Sequence, residues 1–405
     1  MASRITADPP SGQMLALAGE RAQAGSRLFG AEAERVAALC HKMADRFSAG
    51  GRLLALGSTP AARSDAHHVT VEFVHPVIVG KRALPALALT TTAAGTDGEL
   101  TSPLEQLLLG SDIVIAFGAD EDEGQCARAI ELARRRDVLT IGFGGSGAEI
   151  EFEPGVEDRD VRQELVETLY HVLWELVHVF FEHRGLLEGR EERRAHDAGA
   201  SAFLYPFLAE REDNLDAVLD DVRRSVLMKA EEVASLRAQT LADNEATLHA
   251  AATALRASFE RGGTLLALGN GGSATDAMDV VADFRSDQRR ALDLTEDPAI
   301  LTAIANDIGT EAIFARQVIA YGRRGDVLLA LSTSGNSSNV IAALAQARRQ
   351  NLTTIAMVGY DGGRIAAEPL ADHVIVSRSE HIPRIQEAQA TAYHVLRVLT
   401  EEPAG

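Results

Sequence analysis

The chain has 405 residues, 46% of them apolar, with a formal charge of −20 and two cysteines. That length suits two domains of about 150–200 residues, each able to bury a core. The acidic balance argues against a nucleic acid or an anionic membrane as partner, and no apolar run reaches the roughly 18 residues of a membrane-spanning helix.

In chain order, residues 1–11 lack the apolar core of a signal peptide and are expected to be disordered. Cys40 and Cys126 form no disulfide framework, which together with the missing signal favours the cytoplasm. A long helical pattern covers residues 12–48. The strand Gly51-Arg-Leu-Leu-Ala-Leu-Gly57 follows and leads through Ser58-Thr-Pro-Ala61 to a segment carrying His67, His68 and Glu72. Apolar strands recur at Ser111–Gly118 and Val138–Phe143, and a helical pattern over 161–183 closes this half. The stretch Arg184–Ser201 is charge-rich and marks a linker, placed over 184–212; its charges read as a solvated face.

The second half, 213–402, repeats the first half, 12–183. It opens with a helical pattern over about 215–260 and ends with another over 384–401. Gly51–Gly57 recurs as Gly263–Gly269, Ser111–Gly118 as Gly325–Ser332, and Val138–Phe143 as Leu352–Val358. The offset of about 212 to 214 residues is a domain duplication, far longer than a solenoid period of roughly 20–50 residues. Strands of apolar residues alternating with helical patterns predict an α/β protein: two tandem doubly wound parallel sheets with flanking helices.

Two loops of the second half have the chemistry of a phosphate cradle. Gly269-Asn-Gly-Gly-Ser273 follows one strand, and Ser332-Thr-Ser-Gly-Asn-Ser337 follows another and opens onto the apolar helical pattern Val340–Ala347. Unpaired N–H groups and the dipole at a helix N-terminus attract an anion, and hydroxyls complete the cradle. Gly269-x-Gly271-x-x-Ala274 with Asp293 also fits a degenerate dinucleotide fingerprint, but that reading leaves the hydroxyl loop unexplained.

The tandem loops resemble the sugar isomerase (SIS) domain, and within it sedoheptulose-7-phosphate (phosphoheptose) isomerase. The likeness continues through Thr302–Asp307 and Arg384-Ile-Gln-Glu387…His394 in the second half. In the first half it runs through Asp65-Ala-His-His-Val-Thr-Val-Glu72, Arg82–Leu89 and Gln163…His171. The resemblance implies aldose–ketose isomerisation of a phosphorylated seven-carbon sugar, sites at subunit interfaces of a tetramer, and a divalent metal, zinc above all. For a duplicated chain it implies a homodimer with four SIS domains.

Residue by residue, the resemblance divides the machinery. It assigns phosphate and substrate contacts to Asn270, Gly271, Gly272, Ser273, Asp297, Ser332, Thr333, Ser334 and Ser337, with Gln386 on the last helix and Asp160 in the first half. It assigns the metal to His68, Glu72, Gln163 and His171, with Glu72 as base and His171 as acid. The four-residue spacing of His68 and Glu72 places both on one helix face. The second half has Asp279 and Asp283 there, while the first half has the acidic loop Phe117-Gly-Ala-Asp-Glu-Asp-Glu123, which repels phosphate. Gln163 and His171, like Gln386 and His394, are eight apart, a rise of about 12 Å that one ion does not span.

Complementation is therefore expected: acid–base and metal groups from the first half, phosphate grip from the second. A competing reading is one weakened site in the second half built on Asp283, Gln386 and His394. Two other classes stay open: a non-catalytic phosphosugar-binding regulator, and another phosphosugar enzyme such as an amino-sugar isomerase or etherase.

Overall fold

A computed structural model describes residues 11–77, 81–91, 100–182 and 214–402. The expected linker and all but the last residue of the expected disordered lead lie outside them. Contacts divide the chain into two units, one within Ala24–Glu231 and the other within residues 1–23 together with 232–405.

The first unit contains β1 (Leu53–Gly57), α2 (Pro60–Val74), β2 (Ala86–Thr90), α3 (Thr101–Leu107), β3 (Ile113–Ala116), α4 (Gln125–Arg134), β4 (Leu139–Phe143), β5 (Ile150–Phe152) and α5 (Arg159–Glu182). It also takes most of α1 (Gly12–Ser48) and the start of α6 (Leu215–Glu260). The five strands are parallel in the order β2-β1-β3-β4-β5. β1, β3 and β4 are wholly buried, which is why their sequences are apolar on both faces, with Thr140 of β4 the one polar side chain, rather than alternating.

The second unit repeats this plan with β6 (Leu265–Leu268), α7 (Gly272–Ser286), β7 (Ala291–Asp293), α8 (Pro298–Asp307), α9 (Ile313–Tyr321), β8 (Val327–Ser332), α10 (Ser338–Arg349), β9 (Thr353–Gly359), α11 (Gly363–Ala367), β10 (His373–Ser377) and α12 (Ile382–Glu401). Its sheet runs β10-β9-β8-β6-β7, again all parallel. Read from its first strand, each sheet has the order 2-1-3-4-5. The order in which strands are added therefore reverses between β1 and β3 in one sheet and between β6 and β8 in the other. Loops leaving the carboxyl ends of the strands on either side of such a switch flank the crevice where ligands of this architecture bind. In the second unit those loops are Gly269–Gly271 and Thr333–Ser337.

Candidate functional site

The second unit keeps its loops open through glycine. Gly271 has φ +58, and a Cβ on Gly269 would meet Ser273 O at 2.1 Å, so strand and helix join in a turn no side chain could occupy. Gly335 has φ +63, and its Cβ would meet Gly362 O at 2.2 Å. The hydroxyl loop is thus pressed onto the turn that begins α11. Asn336 ties it there: its Oδ1 accepts from Arg364 N at 3.0 Å and its Nδ2 donates to Ser334 O at 2.9 Å. Ser332 Oγ is buried, accepting from Gly335 N at 3.2 Å and lying 3.3 Å from Ser337 Oγ. Ser334 Oγ accepts from Asn336 N at 3.2 Å. Ser334 and Asn336 also line a cavity of about 740 Å³, together with Tyr360, Arg378 and Glu380.

Asn270 links the two loops. Its Nδ2 donates to Asn339 Oδ1 at 3.0 Å, and Asn339 Nδ2 returns a bond to Asn270 Oδ1 at 2.9 Å. Sequence reasoning missed Asn339; its signal was a second amide in the first turn of the helix after the hydroxyl loop. Asp297 proves to be the cap of α8, its Oδ1 accepting from Ala299 N at 2.8 Å and Ile300 N at 3.1 Å. Gln386 is buried on α12, and Ser273 is buried in the first turn of α7. Thr333 is part-buried, with its carbonyl taken by Gly359 N at 3.0 Å.

The matching loops of the first unit are filled by the protein itself. Thr59 caps α2 and Pro60 occupies its first turn, removing a backbone donor where the second unit has glycines. Asp122 is buried. Its Oδ1 accepts from Gly124 N at 2.9 Å, and its Oδ2 accepts from Cys126 N at 2.6 Å and Ser58 Oγ at 3.3 Å. A resident carboxylate thus satisfies the helix N-terminus and the neighbouring hydroxyl that an incoming anion would use. The thiol of Cys126 and that of Cys40 are buried and held well above the ordinary cysteine value by desolvation, which suits structural rather than nucleophilic cysteines.

What the first unit offers instead is a buried polar cluster between α2 and α5. Asp65, His68 and Glu72 recur along one face of α2, all buried. Glu167 and His171 stand one turn apart on α5, also buried. His68 Nε2 and His171 Nε2 lie 3.3 Å apart, and Glu72 Oε1 is 3.9 Å from His68 Nε2. Donor atoms of His68, Glu167 and His171 all fall within 4.8 Å of one another. Two nitrogens bound ~2.05 Å from a tetrahedral ion stand ~3.3 Å apart, the separation seen here. Burial, then the neighbouring His171, holds the His68 imidazole well below its usual pKa, in the neutral form a metal ligand needs. The donor chemistry therefore fits zinc. Of the expected four-residue set, Gln163 Nε2 donates to Asp65 Oδ1 at 3.2 Å, which leaves its metal-binding oxygen Oε1 buried beside the cluster's helix, and Glu167, which sequence reasoning missed, brings a further carboxylate to the two histidines. The signal for Glu167 was its four-residue spacing from His171 on a buried helix. Asp160 is buried in the first turn of α5, its N–H bonded to Asp158 Oδ1 at 2.9 Å. His178 is held by backbone on both sides, its ring nitrogens meeting Trp174 O at 2.8 Å and Arg82 O at 3.0 Å.

The SIS domain family model matches residues 230–359. A phosphoheptose isomerase of Pelodictyon phaeoclathratiforme is 44% identical over 181 residues, covering 42% of this chain and 85% of that protein. The chain belongs to the phosphoheptose isomerase family of SIS-domain proteins. Solved structures extend the likeness in fold to the whole chain. The C-terminal domain of glucosamine-fructose-6-phosphate aminotransferase from Francisella tularensis superposes with a TM-score of 0.60 at 9% identity, covering 98% of this chain and 97% of that one. A tagatose-6-phosphate ketose/aldose isomerase from Escherichia coli gives 0.58 at 12%, covering 97% and 95%. Both parallel sheets are thus SIS folds, and the SIS-domain chain is a sugar-phosphate isomerase. Among the described residues no helix is long and apolar enough to cross a membrane.

Proposed function

We propose that the chain interconverts sedoheptulose 7-phosphate and an aldoheptose 7-phosphate, and that turnover requires both domains. The observation that supports this reading most is the division of chemistry: the hydroxyl loop is kept in the second domain, whereas His68, Glu72, Glu167 and His171 belong to the first. Moving a proton between C1 and C2 through an enediol needs a base at carbon and an acid at oxygen. Glu72 takes the carbon-bound proton. His171 is the acid partner in the ion-free site and a ligand when zinc is held with His68 and Glu167. A bound zinc ion would polarise the sugar's carbonyl and hydroxyl oxygens. Ser332, Thr333, Ser334 and Ser337 hold the phosphate, and binding there, away from the reacting carbons, orients the sugar. The working form in this reading is a homodimer with four SIS domains.

The test is proton exchange and isomerisation of phosphorylated ketoses followed by NMR, with and without zinc. Sedoheptulose 7-phosphate should react fastest. Ser334→Ala and Ser337→Ala should raise KM about 10–100-fold each, the worth of a hydrogen bond to a charged group. Binding of sugar phosphate without any exchange at carbon would make the protein a phosphosugar-binding regulator instead.

A further inference from the structure

In the second domain, α12 carries His394 where α5 carries His171, and α7 carries Asp279 and Asp283 where α2 carries His68 and Glu72. His394 Nε2 lies 3.6 Å from Asp279 Oδ2 and 3.5 Å from Asp283 Oδ2. These spacings are close to that of the two imidazoles in the first domain, and all three residues are buried. The donor types are those a divalent ion takes, and Asp283 and His394 offer atoms close enough to share one.

Two neighbours act on its carboxylates; the tyrosine has a counterpart, Tyr170, in the first domain and the arginine has none. Tyr393 Oη donates to Asp279 Oδ2 at 2.8 Å, the oxygen that faces His394. Arg397 brings its Nε to 3.8 Å from Asp283 Oδ2, again the oxygen that faces His394. The guanidinium is fixed from its other end, where Nη1 donates to Asp287 Oδ2 at 2.9 Å. A permanent positive charge therefore sits beside a donor oxygen that an ion would need. It repels a divalent cation, and it compensates the buried carboxylate without one. The first domain has neither partner of this device: Trp174 stands at the position of Arg397, and Pro76 at that of Asp287.

We propose that Arg397, anchored by Asp287, is a built-in cation that replaces the metal ion in the second domain and so restricts metal binding to the first. This rests on the reading that His68, Glu167 and His171 hold zinc, and the test separates the two claims. Purified full-length chain is equilibrated with zinc, dialysed, and assayed for zinc per chain by elemental analysis, with circular dichroism confirming the fold. One zinc per chain is expected for the parent and none for His68→Ala. Arg397→Met should raise the parent's value to two, and in the His68→Ala background from none to one. Arg397→Lys should stay at one because the charge remains, and Arg397→Gln serves if the Met variant does not fold. The proposal is overturned if neither neutral variant gains zinc, or if the parent holds two ions and His394→Ala removes one. Zinc retained in full by His68→Ala would instead overturn the first-domain reading, leaving the gain on removing Arg397 to judge the proposal by itself.

Discussion

At the scale of single residues, the chemistry of a position depends on what its neighbours have already claimed. The resemblance assigns Asp297 a substrate contact, yet one of its oxygens is taken by the first turn of α8. Asp293 at the end of β7 shows the same economy: Oδ1 accepts from Thr295 N at 2.7 Å and Thr295 Oγ1 at 2.6 Å. Burial, the largest influence, still raises its pKa above the ordinary 3.8. A raised folded-state pKa means that the protonated form is favoured on folding. Its stabilisation is complete below 3.8 and is lost as the pH rises through the higher folded value. Asp293→Asn keeps an acceptor for Thr295 and cannot ionise. Its stability relative to the parent should therefore increase as the pH rises from the acid range toward 7. Urea denaturation at several pH values would show this, and a difference independent of pH would remove burial of the charge as the cause.

At the scale of elements, helices and strands were legible because their patterns are strong. The pattern over 12–48 matches α1, and those over 161–183 and 384–401 match α5 and α12 to within two residues. The acidic loop before α4 was legible as hostile to phosphate, but not as occupied. Whether a carboxylate points at the helix N-terminus depends on a turn of three residues, and only the structure shows Asp122 bonded to Gly124 N and Cys126 N. Asp122→Ala leaves those donors buried without their acceptor and should cost about 1–3 kcal/mol in chemical denaturation. KM for the sugar phosphate should stay within about twofold, since phosphate contact is assigned to the second domain. A rise in KM as large as that of Ser334→Ala would return a phosphate-binding role to the first domain.

At the scale of the whole molecule, duplication was plain in the repeated strands, and both sheets have the same strand order. Which partners each copy has kept was only half legible. The replacement of His68 and Glu72 by Asp279 and Asp283 could be read from aligned positions. The meeting of Glu167 with His68 and His171, and of Arg397 with Asp283, could not, because each joins helices roughly 100 residues apart in sequence and depends on the turn-by-turn packing of buried faces. After duplication, each copy has substituted an internal charge for a ligand: Asp122 where the first would hold an anion, Arg397 where the second would hold a cation.

The measurement that bears most directly on this division is turnover of the Glu72→Gln and Asp283→Asn chains under identical conditions, with sugar-phosphate affinity measured alongside. Glu72→Gln should lower kcat about 10²–10⁴-fold, the usual cost of losing a positioned base, while binding the sugar phosphate nearly as tightly as the parent. Asp283→Asn should change kcat by less than about tenfold. A crippled Asp283→Asn chain beside a fully active Glu72→Gln chain would contradict the account, because the second domain would then carry the chemistry alone.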